Sequence, residues 1–195
     1  GSVIHAMADE QDMRKMGGLV KIIPVTYVMI VIGSLALMGF PFLTGFYSKD
    51  IILELSFGTY HFSGLFAYWL GTISAFFTSF YSIRLIYSTF LKPTNSAKII
   101  ISHAHESSIV MLLPLLILCF GSIFVGYIAK DLFLGLGVDT WNSSLFQLYT
   151  HVSSFEAEFL PFSVKLIPLF FSLSGMFCAM LVYQIFELKF VSLNF

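Results

Sequence analysis

Charged residues are scarce in this sequence, and their scarcity excludes several classes of protein. Asp, Glu, Lys and Arg make up 11% of the 195 residues, whereas soluble domains carry about 25%. The net charge is −1, so there is no basic footprint for nucleic acid and we expect no nucleic-acid partner. The two cysteines, Cys119 and Cys178, lie inside apolar runs without CxxC spacing, which indicates packing rather than redox chemistry or metal binding.

Motifs for cofactor and metal chemistry are also absent from the sequence. It contains no phosphate-binding loop, no dinucleotide fingerprint, no nucleophile paired with a base, and no haem or iron–sulfur ligand pattern. His103 and His105 form an HxH pair in a polar stretch, but no further ligand lies nearby in the sequence. The sequence therefore predicts no cofactor, no metal site and no redox centre on this chain.

Long apolar runs are what the sequence does contain. Hydrophobic residues make up 57% of the chain, and the mean hydropathy is +0.89. Runs of this length are typical of membrane-spanning helices. We predict an all-α fold, a polytopic transmembrane helix bundle of four spans, in two parts that cover residues 1–91 and 92–195. The predicted spans are 24–56, 61–91, 107–129 and 162–188, with an interfacial segment at 8–21, a polar loop at 92–106 and an acidic connector at 130–161.

The first of these runs is interrupted by the stretch GFPFLTG. Its length of 33 residues (24–56) lies between the ~20 residues of one straight span and the ~40 of two. One crossing made of two half-helices fits this length best. The residues expected to break the helix are Gly39, Pro41, Thr44 and Gly45.

The distribution of basic residues favours the same single, discontinuous crossing. With one crossing, Arg14, Lys15 and Lys21 share a side of the membrane with Lys92 and Lys98. The acidic connector then faces the opposite side, as the positive-inside rule requires. Two crossings would instead put the basic loops on opposite sides.

Three ionisable residues follow the break within the same run. Lys49 comes about one turn after it, and Asp50 and Glu54 lie at i and i+4 on one helical face. A lysine near the bilayer centre costs at least ~2.5–3.5 kcal/mol, so such a residue is usually functional. A desolvated lysine is able to load and release a proton. The alternative is a helix-end lysine whose ammonium group extends to the lipid headgroups.

Arg84 and His5 are weaker candidates for the same site. Arg84 lies one to two turns from the polar end of the run 61–91; it either extends to the headgroups or pairs with an acidic group on another helix. His5 ends the first apolar stretch and is either a structural hydrogen-bonding residue or a link in a proton relay.

Two long stretches of the sequence resemble a known family. GSVIHAMADEQDMRKMGGL, at the start of the chain, and GSLALMGFPFLTGFYSKDIILE, which ends at Glu54, closely resemble the antiporter-like membrane subunits of mitochondrial respiratory complex I, within the chain 5 family. The resemblance implies inverted repeats of five helices, each with one discontinuous helix. Lys49 matches the family's proposed proton-transfer lysine, and His5 matches a histidine at the end of the preceding helix. The basic side is then the matrix side of the mitochondrial inner membrane.

The resemblance also implies what surrounds the chain. It implies a proton-translocating subunit coupled to quinone reduction, with FMN, iron–sulfur clusters and ubiquinone in partner subunits and with membrane lipids such as cardiolipin around it. The other membrane-arm subunits of complex I are the expected partners. Because the family's first repeat has no counterpart here, we expect a second polypeptide, or the remainder of a longer one, to supply it. The alternatives are a subunit of a multi-subunit cation/proton antiporter and a structural part of a split subunit whose own proton path is inactive.

Overall fold

The computed structural model describes residues 1–134 and 159–193, and within these residues every regular element is helical. The predicted all-α class is therefore confirmed for the described part of the chain. A π-helical extension, Tyr87–Leu91, continues the fourth helix, and two 3₁₀ turns, Met13–Lys15 and Leu19–Lys21, lie in the predicted interfacial segment. The α-helices are α1 (Ser2–Ala6), α2 (Pro24–Met38), α3 (Thr44–Gly58), α4 (Phe62–Ile86), α5 (Lys98–His103), α6 (Ile109–Leu134) and α7 (Phe162–Leu193).

Within the described residues, two helices are long and apolar enough to cross a membrane by themselves. These segments are Ile109–Lys130 in α6 and Phe162–Ile185 in α7, with mean hydropathies of 2.6 and 2.0. Large apolar side chains of α6, such as Ile117 and Phe120, are exposed, as expected for side chains that face lipid. The count of four spans stays a prediction.

Helices α2 and α3 together run antiparallel along α4. Their contacts with α4 advance steadily in one direction as the chain passes from α2 through residues 39–43 into α3. In chain order the contacting pairs are Tyr27 with Phe90, Met38 with Ile83, Lys49 with Thr78 and Phe57 with Tyr68. The two short helices thus follow one path along a single longer helix.

Helix α7 packs against α4 in the parallel direction. Near the start of both helices, the Tyr68 hydroxyl donates a hydrogen bond to the Val164 carbonyl oxygen at 2.9 Å. Further along, the rings of Tyr87, in the π-helical extension of α4, and Tyr183 of α7 stack with centroids 5.5 Å apart. Between these points Gly175 lets the backbones come close, since a Cβ there would collide with the Phe76 carbonyl oxygen.

The interfacial segment and the loop after α4 lie at the same end of the bundle. The Asn95 amide donates to the Arg14 carbonyl oxygen at 2.9 Å. Gly17 has a φ of 141°, and a Cβ there would lie 2.5 Å from the Pro93 carbonyl oxygen, so only glycine fits. Below them an apolar cluster joins the two segments and is formed by Ala6, Met7, Met16, Leu19, Ile23 and Phe90.

Several boundaries differ from the predicted ones. Helix α7 continues to Leu193, five residues beyond the predicted end at 188. The segment 92–106, predicted as a loop, contains α5, because Ile100 packs against the apolar cluster and gives a short helical turn a buried side. Helix α6 continues to Leu134, five residues beyond the predicted end at 129. Most of the predicted acidic connector, residues 135–158, lies outside the described residues.

Candidate functional site

The interruption between α2 and α3 has the backbone geometry of a helix end. Gly39 adopts the left-handed region with φ 79°, which glycine reaches without the cost that a side chain brings. Its amide donates to the Ala36 carbonyl oxygen at 3.2 Å, and the Phe40 amide donates to the Leu35 carbonyl oxygen at 3.0 Å. Two of the last four carbonyls of α2 are therefore satisfied although the helix stops inside an apolar run.

Thr44, the first residue of α3, attaches this interruption to α6. Its hydroxyl donates to the Gly121 carbonyl oxygen at 3.1 Å and accepts the Gly126 amide at 3.0 Å. A Cβ on Gly126 would collide with the Thr44 Cα, and one on Gly45 would collide with the Ala36 carbonyl oxygen. Gly121 and Gly126 belong to the site but have no signal in the sequence apart from being glycines in an apolar helix.

Lys49 lies one turn into α3 and points back toward the interruption. Its side chain is partly buried, and its Nζ donates to the Thr78 hydroxyl of α4 at 3.4 Å. Its Cδ lies 3.6 Å from the point where a Cβ of Gly39 would be. Thr78 is 16 residues after Phe62 and 13 before Leu91, which places it about 24 Å from the start of the run and about 20 Å from its end at helical rise. The ammonium group is therefore far from both ends of the run formed by α4 and its π-helical extension.

The two carboxylates predicted beside Lys49 lie along the same helix. Asp50 is 9% exposed, and the Glu54 side chain is 14% exposed. Glu54 Oε2 lies 3.9 Å from Nζ of Lys165 in the first turn of α7. Lys165 was not predicted, because its sequence neighbours gave no reason to place it beside α3.

Arg84 and His5 lie apart from this group. Arg84 is exposed in the last turn of α4, and no acidic partner faces it within the described residues. A basic residue at this helix end also suits the helix dipole. His5 is exposed in α1, and neither Lys49 nor Asp50 forms a hydrogen bond or an ion pair with it.

A cavity of about 380 Å³ separates α2 from α6 on the side of α1. Ser2 and Thr26 line it near the basic loops, and Ser122 lines it next to Gly121, the acceptor for Thr44. Glu106 closes this region at the start of α2, where its Oε1 accepts the Thr26 amide at 2.9 Å and the Thr26 hydroxyl at 2.7 Å. Its Oε2 is buried without a hydrogen-bond partner among the described residues.

The interfacial segment carries two exposed ion pairs. Arg14 donates to both carboxylate oxygens of Asp12, and these hydrogen bonds lower the pKa of Asp12 to about 2. Lys15 donates to Glu10 at 2.8 Å, which lowers the pKa of Glu10 and raises the pKa of Lys15. Both pairs are exposed to solvent and therefore contribute little to stability.

Metal binding finds no support in the described residues. In residues 1–134 and 159–193, no three His, Cys, Asp or Glu side chains lie close enough together to hold a metal ion. Cys119 and Cys178 are free thiols.

Comparison with known proteins gives consistent results. Residues 1–78 match the family described as NADH:quinone oxidoreductase/Mrp antiporter, TM. The chain is 56% identical over 191 residues to NADH-ubiquinone oxidoreductase chain 5 of Phytophthora infestans, covering 98% of this chain and 29% of that protein. It is 59% identical over 180 residues to chain 5 of Marchantia polymorpha and 57% identical over 180 residues to that of Arabidopsis thaliana, covering 92% of this chain and 27% of each relative. The chain thus spans less than a third of the length of these relatives.

Proposed function

Because the chain belongs to the NADH-ubiquinone oxidoreductase chain 5 family, we propose that it forms part of a proton-translocating membrane subunit of complex I. In this proposal Lys49 takes up and releases a proton inside the membrane while quinone is reduced elsewhere in the complex. In this proposal the chain contributes to the enzyme NADH:ubiquinone reductase, and the redox centres lie in partner subunits.

The observation that carries the proposal is the place of Lys49. It lies about one turn after an interruption of the helix, and its ammonium group contacts the middle of the helical run 62–91 through Thr78. A lysine at this depth costs at least ~2.5–3.5 kcal/mol, so a purely structural role would be served better by an apolar residue. The neighbouring Asp50 and Glu54 supply further protonatable groups on the same helix.

The interruption is what makes such a lysine tolerable. Irregular backbone inside a bilayer must be buried in protein or border water, because each unsatisfied amide costs several kcal/mol. We therefore treat α2 and α3 as one discontinuous crossing, supported by their continuous path along α4. With α4, α6 and α7 this gives four crossings. The cavity between α2 and α6 would hold water and lead from the basic side to Ser122, the neighbour of Gly121, whose carbonyl oxygen accepts the Thr44 hydroxyl.

The surroundings of the chain follow from the same proposal. The exposed basic residues near the loops at one end, including Arg14, Lys21 and Lys98, are suited to the anionic headgroups of lipids such as cardiolipin. This end would face the matrix across the mitochondrial inner membrane. Other membrane-arm subunits, with a polypeptide segment that supplies the first repeat, would complete the channel, and FMN, iron–sulfur clusters and ubiquinone would reside in partner subunits.

The test of this assignment is the composition of the native complex. The membrane complex that contains this chain is isolated in mild detergent and analysed by mass spectrometry, with NADH oxidation measured on the same sample. We expect redox subunits and a segment carrying the first repeat to co-purify with it. Co-purification with other antiporter subunits and no NADH oxidation would assign it to a cation/proton antiporter, and isolation of the chain alone would indicate a proton-inactive structural part. Either result would refute the proposal.

A further inference from the structure

Lys165 occupies a position that disfavours a cation. It is the fourth residue of α7, and the unpaired backbone amides at a helix N-terminus repel positive charge by about 0.3–1 kcal/mol. Its side chain is only 28% exposed, so water does not fully compensate for this repulsion. Among the described residues, a tertiary contact that accounts for it is Glu54, whose carboxylate lies 3.9 Å away.

The elements that hold this pair are packed tightly around it. Next to Lys165, the Val164 carbonyl oxygen accepts a hydrogen bond from Tyr68, which is 1% exposed. Next to Glu54, Leu53 is buried against α4, where a Cβ on Gly71 would collide with the Leu53 side chain. The starts of α4 and α7 and the end of α3 are thus fixed relative to one another, and the pair is held in a defined place.

The inference that follows rests on the proposed function. We propose that Lys165 is a further proton-transfer residue, which exchanges protons with Glu54 and so extends the series Lys49, Asp50 and Glu54 from α3 to α7. The series then ends at the start of α7, at the opposite end of the bundle from the basic loops. This is the end at which a proton taken up on the basic side must leave.

The transfer requires only the two side chains and water. When Glu54 is protonated and Lys165 is neutral, the carboxylic acid gives its proton to the amine, which leaves a carboxylate and an ammonium ion. The ammonium ion then releases that proton to water and returns to the amine. The separation of 3.9 Å is slightly longer than a hydrogen bond, so a small side-chain rotation or one bridging water is sufficient. Among the described residues, the ionisable groups of the packed elements near Lys165 are Asp50 and Glu54 of α3 and Tyr68 of α4.

The experiment separates proton transfer from simple charge pairing. The complete complex is reconstituted in liposomes, and both quinone reduction and proton translocation are measured for Lys165→Arg, Lys165→Met, Lys130→Met and Lys49→Met. Arginine keeps the positive charge for Glu54, but it does not release its proton at any accessible pH. Lys130 is an exposed lysine in the last third of α6, at the same end of the bundle, and its substitution is the matched control.

We expect Lys165→Arg to assemble normally and to translocate protons at least ~10-fold more slowly, while Lys130→Met behaves as the unmodified complex. If Lys165→Met fails to assemble, Lys165→Arg decides the question, because it keeps the ion pair. Normal translocation by Lys165→Arg together with a defect in Lys49→Met would overturn this inference alone. Normal translocation by both variants would overturn the proposed function as well.

Discussion

Two glycines of α6 provide a matched test of how the interruption between α2 and α3 is held. A Cβ added at Gly126 would collide with the Thr44 Cα and lie 3.0 Å from its Cβ and Oγ1, whereas one added at Gly121 would meet only the Val125 side chain at 3.8 Å. Both changes to alanine give the same gain in helix propensity, up to ~1 kcal/mol. They differ only in what the new methyl group meets.

We expect Gly126→Ala to be destabilising relative to Gly121→Ala by about 1–3 kcal/mol, the usual cost of overpacking. The hydrogen bonds of Thr44 to α6 would lengthen at the same time. Hydrogen exchange measured on the purified complex should show the amides of residues 39–46 exchanging about 5- to 150-fold faster in Gly126→Ala than in Gly121→Ala. Equal exchange in the two variants would refute the close contact of α6 with the interruption.

Two further predictions concern the basic end of the molecule. Glu106→Ala removes the acceptor for the Thr26 amide and should weaken the start of α2 by about 0.5–2 kcal/mol, so the amides of residues 25–28 should exchange hydrogen faster. Glu106→Gln keeps an acceptor and should show a smaller change in exchange. Identical exchange in the two variants would contradict the capping role of Glu106. The pKa of the Asp12 carboxyl is about 2 in the folded segment, against ~3.9 in the unfolded chain. The ionised carboxylate therefore stabilises the folded segment above the unfolded pKa, and this contribution is lost as the pH falls through about 2. A carboxyl titration by NMR should place its midpoint near that value and move it upward in Arg14→Ala, and an unchanged midpoint would show that Arg14 is not the cause.

Much of the fold near Lys49 could be predicted from the sequence. The stretch from Gly39 to Gly45 contains a glycine that ends a helix and a proline, and the run 24–56 around it is too short for two crossings. The helix boundaries at Met38 and Thr44 follow from these features. These are local properties of the chain. Local geometry also places Asp50 and Glu54 on one face of the same helix.

The contacts between helices could not be predicted in the same way. Thr44 with Gly126, Lys49 with Thr78 and Glu54 with Lys165 each depend on how far one helix is shifted along another. Two apolar helices of similar composition can pack at many positions along each other with similar energy. A glycine or an isolated lysine in the sequence does not identify the residue that it contacts. For Arg84 the sequence left two alternatives, and its exposed place at the end of α4 favours extension toward the headgroups.

The central claim, that Lys49 carries protons, is tested most directly by proton translocation in reconstituted complex I that carries Lys49→Met. Loss of the buried cation removes a desolvation cost of at least ~2.5 kcal/mol, so assembly should be unaffected. Lys98→Met, which changes an exposed lysine at the basic end, is the control. We predict that translocation falls at least ~10-fold in Lys49→Met and in Lys49→Arg, and not in Lys98→Met. Full translocation by an assembled Lys49→Met complex would contradict the account.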